Sequence, residues 1–340
     1  MIPPKYSIIV PTYNRIAELQ ELLPSISNLD RIDHIELIIV DDGSTDNTAS
    51  WVENYASSYP IHYIRQKNQG PGAARNLGMS IAKGTYFIFV DSDCILPPDY
   101  IYKIDTYLEQ YHPDAFGGPD TYHPSFSPFL KAVNYSMTSF IGTGGTRGSK
   151  KSVTKFYPRS FNMGFHRDVF EKIGGFNALR HGQDMDYSAR IYKAGYSVQL
   201  IPDAYVYHKR RTSIWKFFKQ IHNWGVTRIN LASLYPGMLR PIHLMPAILV
   251  LGVLVAIIVV PFTSYGNMIL IMALSGIAMI AIIAFYQSYK MYASVKISLL
   301  SIITLYIQVG AYGLGLLNGM WQKWILRRDT AIGITKNYYK

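Results

Sequence analysis

Two aspartates separated by one residue are candidate metal ligands. Asp91 and Asp93 directly follow the apolar run Phe87–Val90, so they lie where the chain would leave a buried strand. Two carboxylates placed in this way can share a hard divalent cation that also binds phosphate oxygens. An Asp-x-Asp pair alone is weak evidence, because solvated aspartates are common in turns. Its position at a strand end favours the metal interpretation.

A second acidic pair, Asp41 and Asp42, follows the apolar run Ile35–Val40. Ser44 or Asp46 could cap the helix that comes next, but capping does not explain two consecutive acids. A carboxylate here could accept a hydrogen bond from the imide N–H of a uracil ring or from a ribose hydroxyl. The pair therefore predicts contact with a nucleotide.

The elements that would position these acids are short strands alternating with helices. The strand-like runs are Ser7–Val10, Ile35–Val40, Ile61–Ile64 and Tyr86–Val90. Such alternation predicts a parallel sheet with helices on both faces, and ligands bind beyond the carboxyl ends of its strands. The polar cluster Pro11–Asn14 and both acidic pairs each follow a strand at that edge. We therefore expect them to form one site.

The region 115–160 is rich in Gly, Ser, Thr and Tyr and shows few helical signals. Ile141–Gly148 lacks the Gly-x4-Gly-Lys-Ser/Thr spacing of a phosphate-binding loop. We expect Ile141–Gly148 to be a mobile loop that covers a substrate, or else an ordinary surface loop.

Apolar residues are concentrated in the C-terminal part of the 340-residue chain. Three runs approach the ~20 residues that a helix needs to cross a bilayer. They are Leu244–Phe262, Met268–Tyr286 and Ile297–Met320. The connection 263–267 is uncharged, which predicts a position outside the cell. Lys290 and Lys296 predict that the next connection lies inside.

A third full crossing would place Arg327 and Arg328 outside, against the tendency of cations to stay inside. The third run is therefore re-entrant, kinked at its glycines, or an exception to the rule. Before the runs, Ile214–Tyr235 mixes aromatic and basic residues. This makeup is typical of a helix in the membrane interface, and the alternative is a helix packed on the catalytic domain.

These boundaries divide the chain into four parts: a catalytic domain (1–212), an interfacial region (213–240), a membrane domain (241–322) and a basic tail (323–340). The net charge of +11 favours anionic partners. Nucleic acid is not expected, because no zinc-finger spacing, basic arm or aromatic ribonucleoprotein motif is present. Cys94 is the single cysteine, which fits a reducing compartment. No secretory leader is expected, since Ile8–Val10 is too short.

Several segments together resemble family 2 glycosyltransferases, and among them the membrane-anchored bacterial enzymes of succinoglycan and exopolysaccharide assembly. They are Ser7–Asn14, Val40–Asp46, Gly70–Gly78, Val90–Asp93, Gly174–Phe176 and Gly182–Asp186. The segments come in the family's order and cover residues 6 to about 230. The resemblance implies the GT-A fold, an α/β Rossmann-like mixed sheet, here followed by C-terminal transmembrane helices. It also implies a multi-pass protein of the inner (cytoplasmic) membrane with a cytosolic catalytic domain.

The resemblance implies a role for each matching position. The nucleotide sugar would contact Pro11, Thr12, Tyr13, Asp42, Arg75, Asp91 and Ser92. Asp91 and Asp93 would hold Mg²⁺ or Mn²⁺, and His208 matches a third metal ligand found in some relatives. Asp184 matches the catalytic base, with Gln183 where Glu is more common.

The acceptor side is predicted from weaker similarities. Gln220–Trp224 is similar to the Gln-x-x-Arg-Trp motif of processive synthases, in which Trp stacks on an acceptor sugar. Asn223 replaces the Arg, which argues against processivity. Residues expected to meet acceptor or diphosphate are Gln183, Arg211, Gln220 and Trp224.

The expected reaction is inverting, metal-dependent sugar transfer from a nucleoside diphosphate sugar, UDP-linked by preference, to a lipid-linked or glycan acceptor at the membrane. Such a displacement needs a base at the acceptor hydroxyl and a cation on the leaving diphosphate. The alternatives are a polyprenyl-phosphate glycosyl synthase, a processive polysaccharide synthase and, from another class, a membrane scaffold that binds nucleotide sugar without turnover.

Overall fold

The computed structural model describes residues 4–144, 155–263 and 265–335. These form two compact units. The first comprises residues 4–124 and 155–209, and the second comprises 125–144, 210–263 and 265–335.

Ten strands and twelve α-helices make up the described chain. The strands are β1 Tyr6–Thr12, β2 Ile35–Asp41, β3 Ile61–Arg65, β4 Tyr86–Phe89, β5 Cys94–Ile95, β6 Ala115–Gly117, β7 Asp120–Thr121, β8 Met163–His166, β9 Val198–Leu200 and β10 Val206–His208. The helices are α1 Ile16–Ser27, α2 Thr48–Glu53, α3 Pro71–Ile81, α4 Tyr100–Tyr111, α5 Pro128–Thr138, α6 Phe140–Thr143, α7 Arg167–Ile173, α8 Gln183–Lys193, α9 Ile214–Leu234, α10 Pro241–Val259, α11 Gly266–Tyr292 and α12 Val295–Met320.

The first unit is built on a seven-stranded sheet with the order β3-β2-β1-β4-β8-β6-β9. The strands β3, β2, β1 and β4 are parallel, while β8 runs antiparallel to both β4 and β6. The predicted mixed α/β sheet is therefore confirmed. A smaller sheet has the order β5-β10-β7 and carries residues of the candidate site.

Helices cover both faces of the large sheet, as predicted. Because successive strand residues point to opposite faces, Ile8 and Val10 of β1 pack in one apolar cluster and Ile9 packs in the other. The first cluster includes residues of α1 and α4, and the second includes residues of α3, α7 and α8. The buried strands β1 and β2 are thus held from both sides, which fixes the edge where the polar clusters emerge.

A buried ionic cluster fastens α4 to the segments that precede β1 and β2. Asp105 of α4 is 1% exposed. It accepts a hydrogen bond from Lys5 Nζ at 2.5 Å, and also from the Tyr6 hydroxyl and the Arg31 guanidinium. Burial raises the pKa of this carboxyl, but the three donors outweigh burial, so its pKa is below the ordinary value.

The second unit contains three helices that are long and apolar enough to cross a membrane. They are Pro241–Phe262, Gly266–Tyr292 and Val295–Ile325, and each includes one of the predicted runs. α12 continues without interruption through its four glycines and ends in a π-helical turn at Trp321–Ile325. A Cβ atom at Gly315 would lie 2.0 Å from the carbonyl oxygen of His222 in α9. The glycines therefore allow close helix packing.

The expectation of few helices in the region 115–160 is wrong. This region contains α5 and α6, with Ser127 and Ser139 capping them by accepting backbone hydrogen bonds. Residues 145–148 of the expected covering loop lie outside the described residues. α9 packs along α12 within the second unit, and its place in the membrane interface stays a prediction.

The segment that follows α12 returns along α9. Asn230 Nδ2 donates to the carbonyl of Ala331 at 2.9 Å, and the N–H of Ala331 donates to Asn230 Oδ1 at 2.9 Å. Gln322 makes the same pair of hydrogen bonds with Ile332, at 2.8 and 2.9 Å. Asn223 Oδ1 accepts a hydrogen bond from the N–H of Thr335 at 3.4 Å. Side-chain amides therefore fix the backbone of this segment.

Candidate active site

The predicted convergence of strand ends is confirmed for β1, β2 and β4. Thr12 is in register with Asp41 across the parallel β1–β2 pair, and Ile9 is in register with Phe89 across β1–β4. The segments that leave these three strands, 12–14, 41–46 and 91–93, therefore emerge side by side. Pro11 and Ser92 are buried, whereas Tyr13 is half-buried.

Asn14 ties two of these segments together. Its φ of +51° lies in the left-handed region that asparagine tolerates better than most residues. Its Oδ1 accepts hydrogen bonds from the N–H of Thr45 at 2.7 Å and of Asp46 at 3.3 Å, and its own N–H donates to Ser44 Oγ at 2.8 Å. Thr12 Oγ1 is buried without a hydrogen-bond partner in the described chain. This edge is thus preorganised and retains one unused polar atom.

Asp42 is fully buried and its carboxylate is occupied by the protein. It accepts hydrogen bonds from Gln66 Nε2 at 2.7 Å and from the N–H groups of Gln69 and Gly70 at 2.8 Å each. Gly70, with φ +94°, needs the backbone freedom of glycine and leads directly into α3. Asp42 therefore shapes the entry to α3, and its contact with a nucleotide base stays a prediction.

Arg75 of α3 is directed at the acidic pair. The guanidinium donates to Asp91 Oδ1 at 2.7 Å and to Ser160 Oγ at 3.0 Å. It also lies 5.7 Å from the ring centroid of Phe176, within cation–π range. Arg75 therefore forms an ion pair with Asp91, and its expected contact with the nucleotide sugar stays a prediction.

His208 lies between two carboxylates. The pairing of β10 with β5 sets His208 opposite Cys94 and so next to Asp93. Nε2 of His208 is 3.3 Å from Asp93 Oδ1, and Nδ1 is 3.2 Å from Asp120 Oδ2. Burial alone would lower the pKa of His208, but the charges of Asp93 and Asp120 outweigh burial and raise it to about 9.

This donor set fits a divalent cation. Two ligands bound to one ion at about 2.1 Å in octahedral geometry lie roughly 3 Å apart, and the Asp93 and His208 donor atoms are 3.3 Å apart. A carboxylate on the second ring nitrogen, as Asp120 provides, is the usual way of orienting a metal-binding histidine. Cys94 Sγ also lies within 4.8 Å of these donors. Asp91 keeps one oxygen outside its ion pair with Arg75.

Asp184 lies in the first turn of α8, where a helix favours negative charge. Its Oδ2 is 3.7 Å from a guanidinium nitrogen of Arg159, and the carboxylate is only partly buried. Gln183 is buried, and its amide lies against Gly72, where a Cβ atom would come within 2.5 Å of Nε2. Gln183 therefore packs α8 on α3, and its expected contact with acceptor or diphosphate stays a prediction.

Adjacent residues of one segment connect the two acidic centres. Arg159 pairs with Asp184, while Ser160 accepts from Arg75, which in turn donates to Asp91. The route from Asp184 to the Asp91–Asp93 pair is thus a series of direct contacts within the first unit.

Sequence reasoning missed four polar residues near the site: Arg15, Asp120, Arg159 and Ser160. Burial tends to lower the pKa of Arg15, but the charges of Asp93 and Glu18 raise it above the usual value, so Arg15 interacts electrostatically with a candidate metal ligand. Arg15 could have been found from the sequence, because it directly follows the Pro11–Asn14 cluster. Asp120, Arg159 and Ser160 belong to no recognisable motif and are brought in by tertiary pairing.

Three residues predicted for the acceptor side, Arg211, Gln220 and Trp224, lie in the second unit. Gln220 and Trp224 are in α9 and half-buried, and Trp224 packs on a cluster that includes Phe217 and Ala311. Their roles stay predictions.

Comparison with known proteins gives a consistent family. The profile of glycosyl transferase family 2 matches residues 7–174, and that of glycosyl transferase family 21 matches residues 154–323. A Bacillus subtilis protein described as putative glycosyltransferase EpsH is 41% identical over 101 residues, which cover 29% of each chain. The dolichol-phosphate mannosyltransferase of Pyrococcus furiosus is 28% identical over 187 residues, covering 52% of this chain and 46% of that protein.

A solved structure shares the fold of this chain over most of its length. The Pyrobaculum calidifontis mannosyltransferase PcManGT, solved in complex with GDP-Man and Mn²⁺, superposes with a TM-score of 0.60 and 19% identity, covering 90% of this chain and 88% of that one. This likeness establishes a shared GT-A-type fold. The chain spans less than a third of the length of the first curated relatives that it matches.

Proposed function

This chain belongs to the family 2 glycosyltransferases, and we propose that it transfers a sugar from a nucleoside diphosphate sugar to an acceptor at the membrane with inversion of the anomeric carbon. The observation that carries the proposal is the contact series from Asp184 through Arg159, Ser160 and Arg75 to Asp91. It links the partly exposed Asp184 carboxylate to the candidate metal ligand Asp91, which supports the proposal that both act on one substrate.

The donor would bind at the carboxyl edge of β1, β2 and β4. Thr12 and Tyr13 would meet the nucleoside, while Arg75 keeps Asp91 oriented toward the diphosphate. A Mg²⁺ or Mn²⁺ ion held by Asp91, Asp93 and His208 would neutralise charge on the leaving diphosphate. Asp120 keeps the His208 ring in place for this role.

Asp184 would act as the general base. The acceptor oxygen bonds to the anomeric carbon while the bond from that carbon to the diphosphate oxygen breaks, and its electron pair leaves with the diphosphate. The acceptor's proton passes to Asp184. The Arg159 guanidinium, 3.7 Å from Oδ2, would orient the carboxylate. General-base assistance of this kind contributes about 10²–10⁴-fold in rate.

The test is donor turnover in membranes that contain Asp184→Asn. Release of nucleoside diphosphate is measured with UDP- and GDP-linked sugars in the presence of Mg²⁺ or Mn²⁺. We expect a loss of about 10²–10⁴-fold relative to wild type. Asp168→Asn is the matched control, since Asp168 is an exposed carboxylate on α7. Equal turnover by the Asp184 variant and the control contradicts the base assignment, and no turnover with any donor or metal favours the scaffold.

A polyprenyl phosphate acceptor is the second candidate. Its support is the similarity to a dolichol-phosphate mannosyltransferase together with a second unit rich in apolar helices. Labelled sugar recovered in organic solvent, and released from the lipid by mild acid as a monosaccharide, would favour this acceptor. Label on an oligosaccharide-lipid favours the first proposal, and a growing polymer favours processive synthesis.

A further inference from the structure

Arg180 carries a buried positive charge that the fold leaves without a partner. It lies on the segment that connects α7 to α8, three residues before α8 begins. Its Nε and Nη2 atoms are buried and have no hydrogen-bond partner among the described residues. A guanidinium stays protonated inside proteins, so Arg180 keeps its full charge. Burial of such a charge is strongly unfavourable unless an anion compensates it.

Arg190 of α8 shows how the same region satisfies an arginine with a structural role. Its Nη1 and Nη2 atoms donate to the carbonyls of Ile173 and Gly175 at 2.9 and 2.6 Å. Its Nε donates to Asp186 Oδ2 at 3.2 Å. All three nitrogens of this guanidinium are therefore used to hold α8 against the end of α7, whereas Arg180 contributes no such contact.

The acidic side chains nearest to Arg180 in the sequence are engaged elsewhere. Asp186, the partner of Arg190, also accepts a hydrogen bond from Asn177 Nδ2 at 3.0 Å. Asp184 Oδ2 lies 3.7 Å from a guanidinium nitrogen of Arg159. No Asp or Glu occurs outside the described ranges, in residues 1–3, 145–154, 264 and 336–340. The counter-charge of Arg180 is therefore expected to come from a ligand.

The two unpaired nitrogens of Arg180 define the kind of ligand. Nε and Nη2 lie on one edge of the guanidinium plane, and their N–H groups point in the same direction. Such an edge donates to two oxygens of one phosphate or carboxylate group. A phosphate occurs both in the diphosphate of the proposed donor and in a lipid phosphate acceptor, so phosphate is the group that the proposed reaction supplies.

We propose that Arg180 binds a phosphate group of a substrate through this bidentate edge. The choice of phosphate rests on the proposed function. Asp184, the proposed base, follows Arg180 by four residues. A phosphate held by Arg180 would therefore belong to the substrate that reaches the base, which favours the lipid phosphate of the acceptor over the diphosphate of the donor.

Binding to the full-length protein in detergent tests the proposal without turnover. Calorimetric titrations with farnesyl phosphate and with UDP, in the presence of Mg²⁺, compare wild type with Arg180→Met. Farnesol is the phosphate-free probe. Lys193→Met is the matched control, because Lys193 is an exposed cation in the last turn of α8. Its substitution removes the same charge from the surface.

We expect Arg180→Met to weaken the binding of farnesyl phosphate by about 10–100-fold, the usual effect of losing a charged hydrogen-bond pair. Its affinities for UDP and farnesol should match those of wild type, and Lys193→Met should change none of the three. A loss of UDP affinity instead would assign the phosphate to the donor. Unchanged UDP affinity, together with farnesyl phosphate binding that is unchanged or absent from wild type, overturns the proposal.

Thermal unfolding without ligand separates phosphate binding from a structural role. Replacing an uncompensated buried charge by an apolar side chain of similar size should leave Tm unchanged or raise it, so Arg180→Met should unfold at or above the wild-type temperature. Arg190→Met should unfold at a lower temperature, because it loses three hydrogen bonds. An equal fall in Tm for both variants contradicts the proposal. Neither measurement requires catalysis, so a failure of the base assignment would be distinguished from a failure of this site.

Discussion

At the scale of single residues, the site is defined less by its acids than by what each acid contacts. Asp41 and Asp42 look equivalent in sequence to Asp91 and Asp93, yet the first pair is buried and fully engaged with its own loops. Asp93 instead faces His208 across 3.3 Å. The proposed metal chemistry therefore uses the second pair.

Asp120 has the largest predicted effect on metal binding for a residue outside the ligand set. We expect Asp120→Asn to weaken Mn²⁺ binding by about 10–100-fold, because the carboxylate on Nδ1 fixes the ring of His208. Mn²⁺ affinity is measured by electron paramagnetic resonance titration of the purified protein. Asp99→Asn, which alters a carboxylate at the start of α4, serves as the control. Unchanged Mn²⁺ affinity would refute the orienting role of Asp120.

A substitution of Arg75 tests whether the geometry of its ion pair with Asp91 matters for turnover. We expect Arg75→Lys to lower kcat/KM for the donor by about tenfold, because a lysine ammonium cannot reproduce the planar fork that serves both Asp91 and Ser160. Initial rates at varied donor concentration give the value. Arg167→Lys replaces an arginine that bonds to the carbonyls of Ala82 and Gly84. The assignment is wrong if both variants lose turnover equally.

At the scale of elements, the helices and strands that carry a local apolar pattern could be predicted from the sequence. The first four strands, the helices between them and the three apolar runs were predicted from such patterns. β5 and β7 have two residues each and form by pairing with distant segments, so they carry no periodic signal. Asp120 and His208 depend on them. α5 and α6 were missed although Ser127-Pro128 and Ser139 are ordinary helix-start signals, because the flanking composition suggested a loop.

The Asp105 cluster is expected to stabilise the first unit in a pH-dependent manner. Its native pKa is below the ordinary value, so the stabilisation is complete above the unfolded pKa of about 3.9 and is lost as the pH falls through the native value. Asp105→Asn should cost about 2 kcal/mol near neutral pH. Thermal unfolding in detergent at a series of pH values should show the gap to wild type closing in acid. A gap that is constant with pH would exclude the ionic origin.

At the scale of the whole molecule, the chain combines a unit of GT-A-type fold with a unit that contains three helices long and apolar enough to cross a membrane. The family 2 and family 21 profiles together match residues 7–323, which include parts of both units. Both parts were identified from the sequence, because strand–helix alternation and long apolar runs are local patterns. The packing of α12 on α5 and α6 through Thr304 and Gln308 could not be predicted, because these contacts join distant segments.

The clasp formed by Asn230 and Gln322 on Ala331 and Ile332 has a consequence for how this protein can vary. Each amide exchanges two hydrogen bonds with main-chain atoms, as a neighbouring β-strand would, so these hydrogen bonds do not depend on the side chains at the two positions. Ile332 is exposed and its side chain can vary, whereas the buried Ala331 restricts its position to small residues. Proline is the exception, since it lacks the N–H that each amide oxygen binds. Homologues that look unrelated after α12 can therefore share the same tail geometry, provided that they keep the two amides.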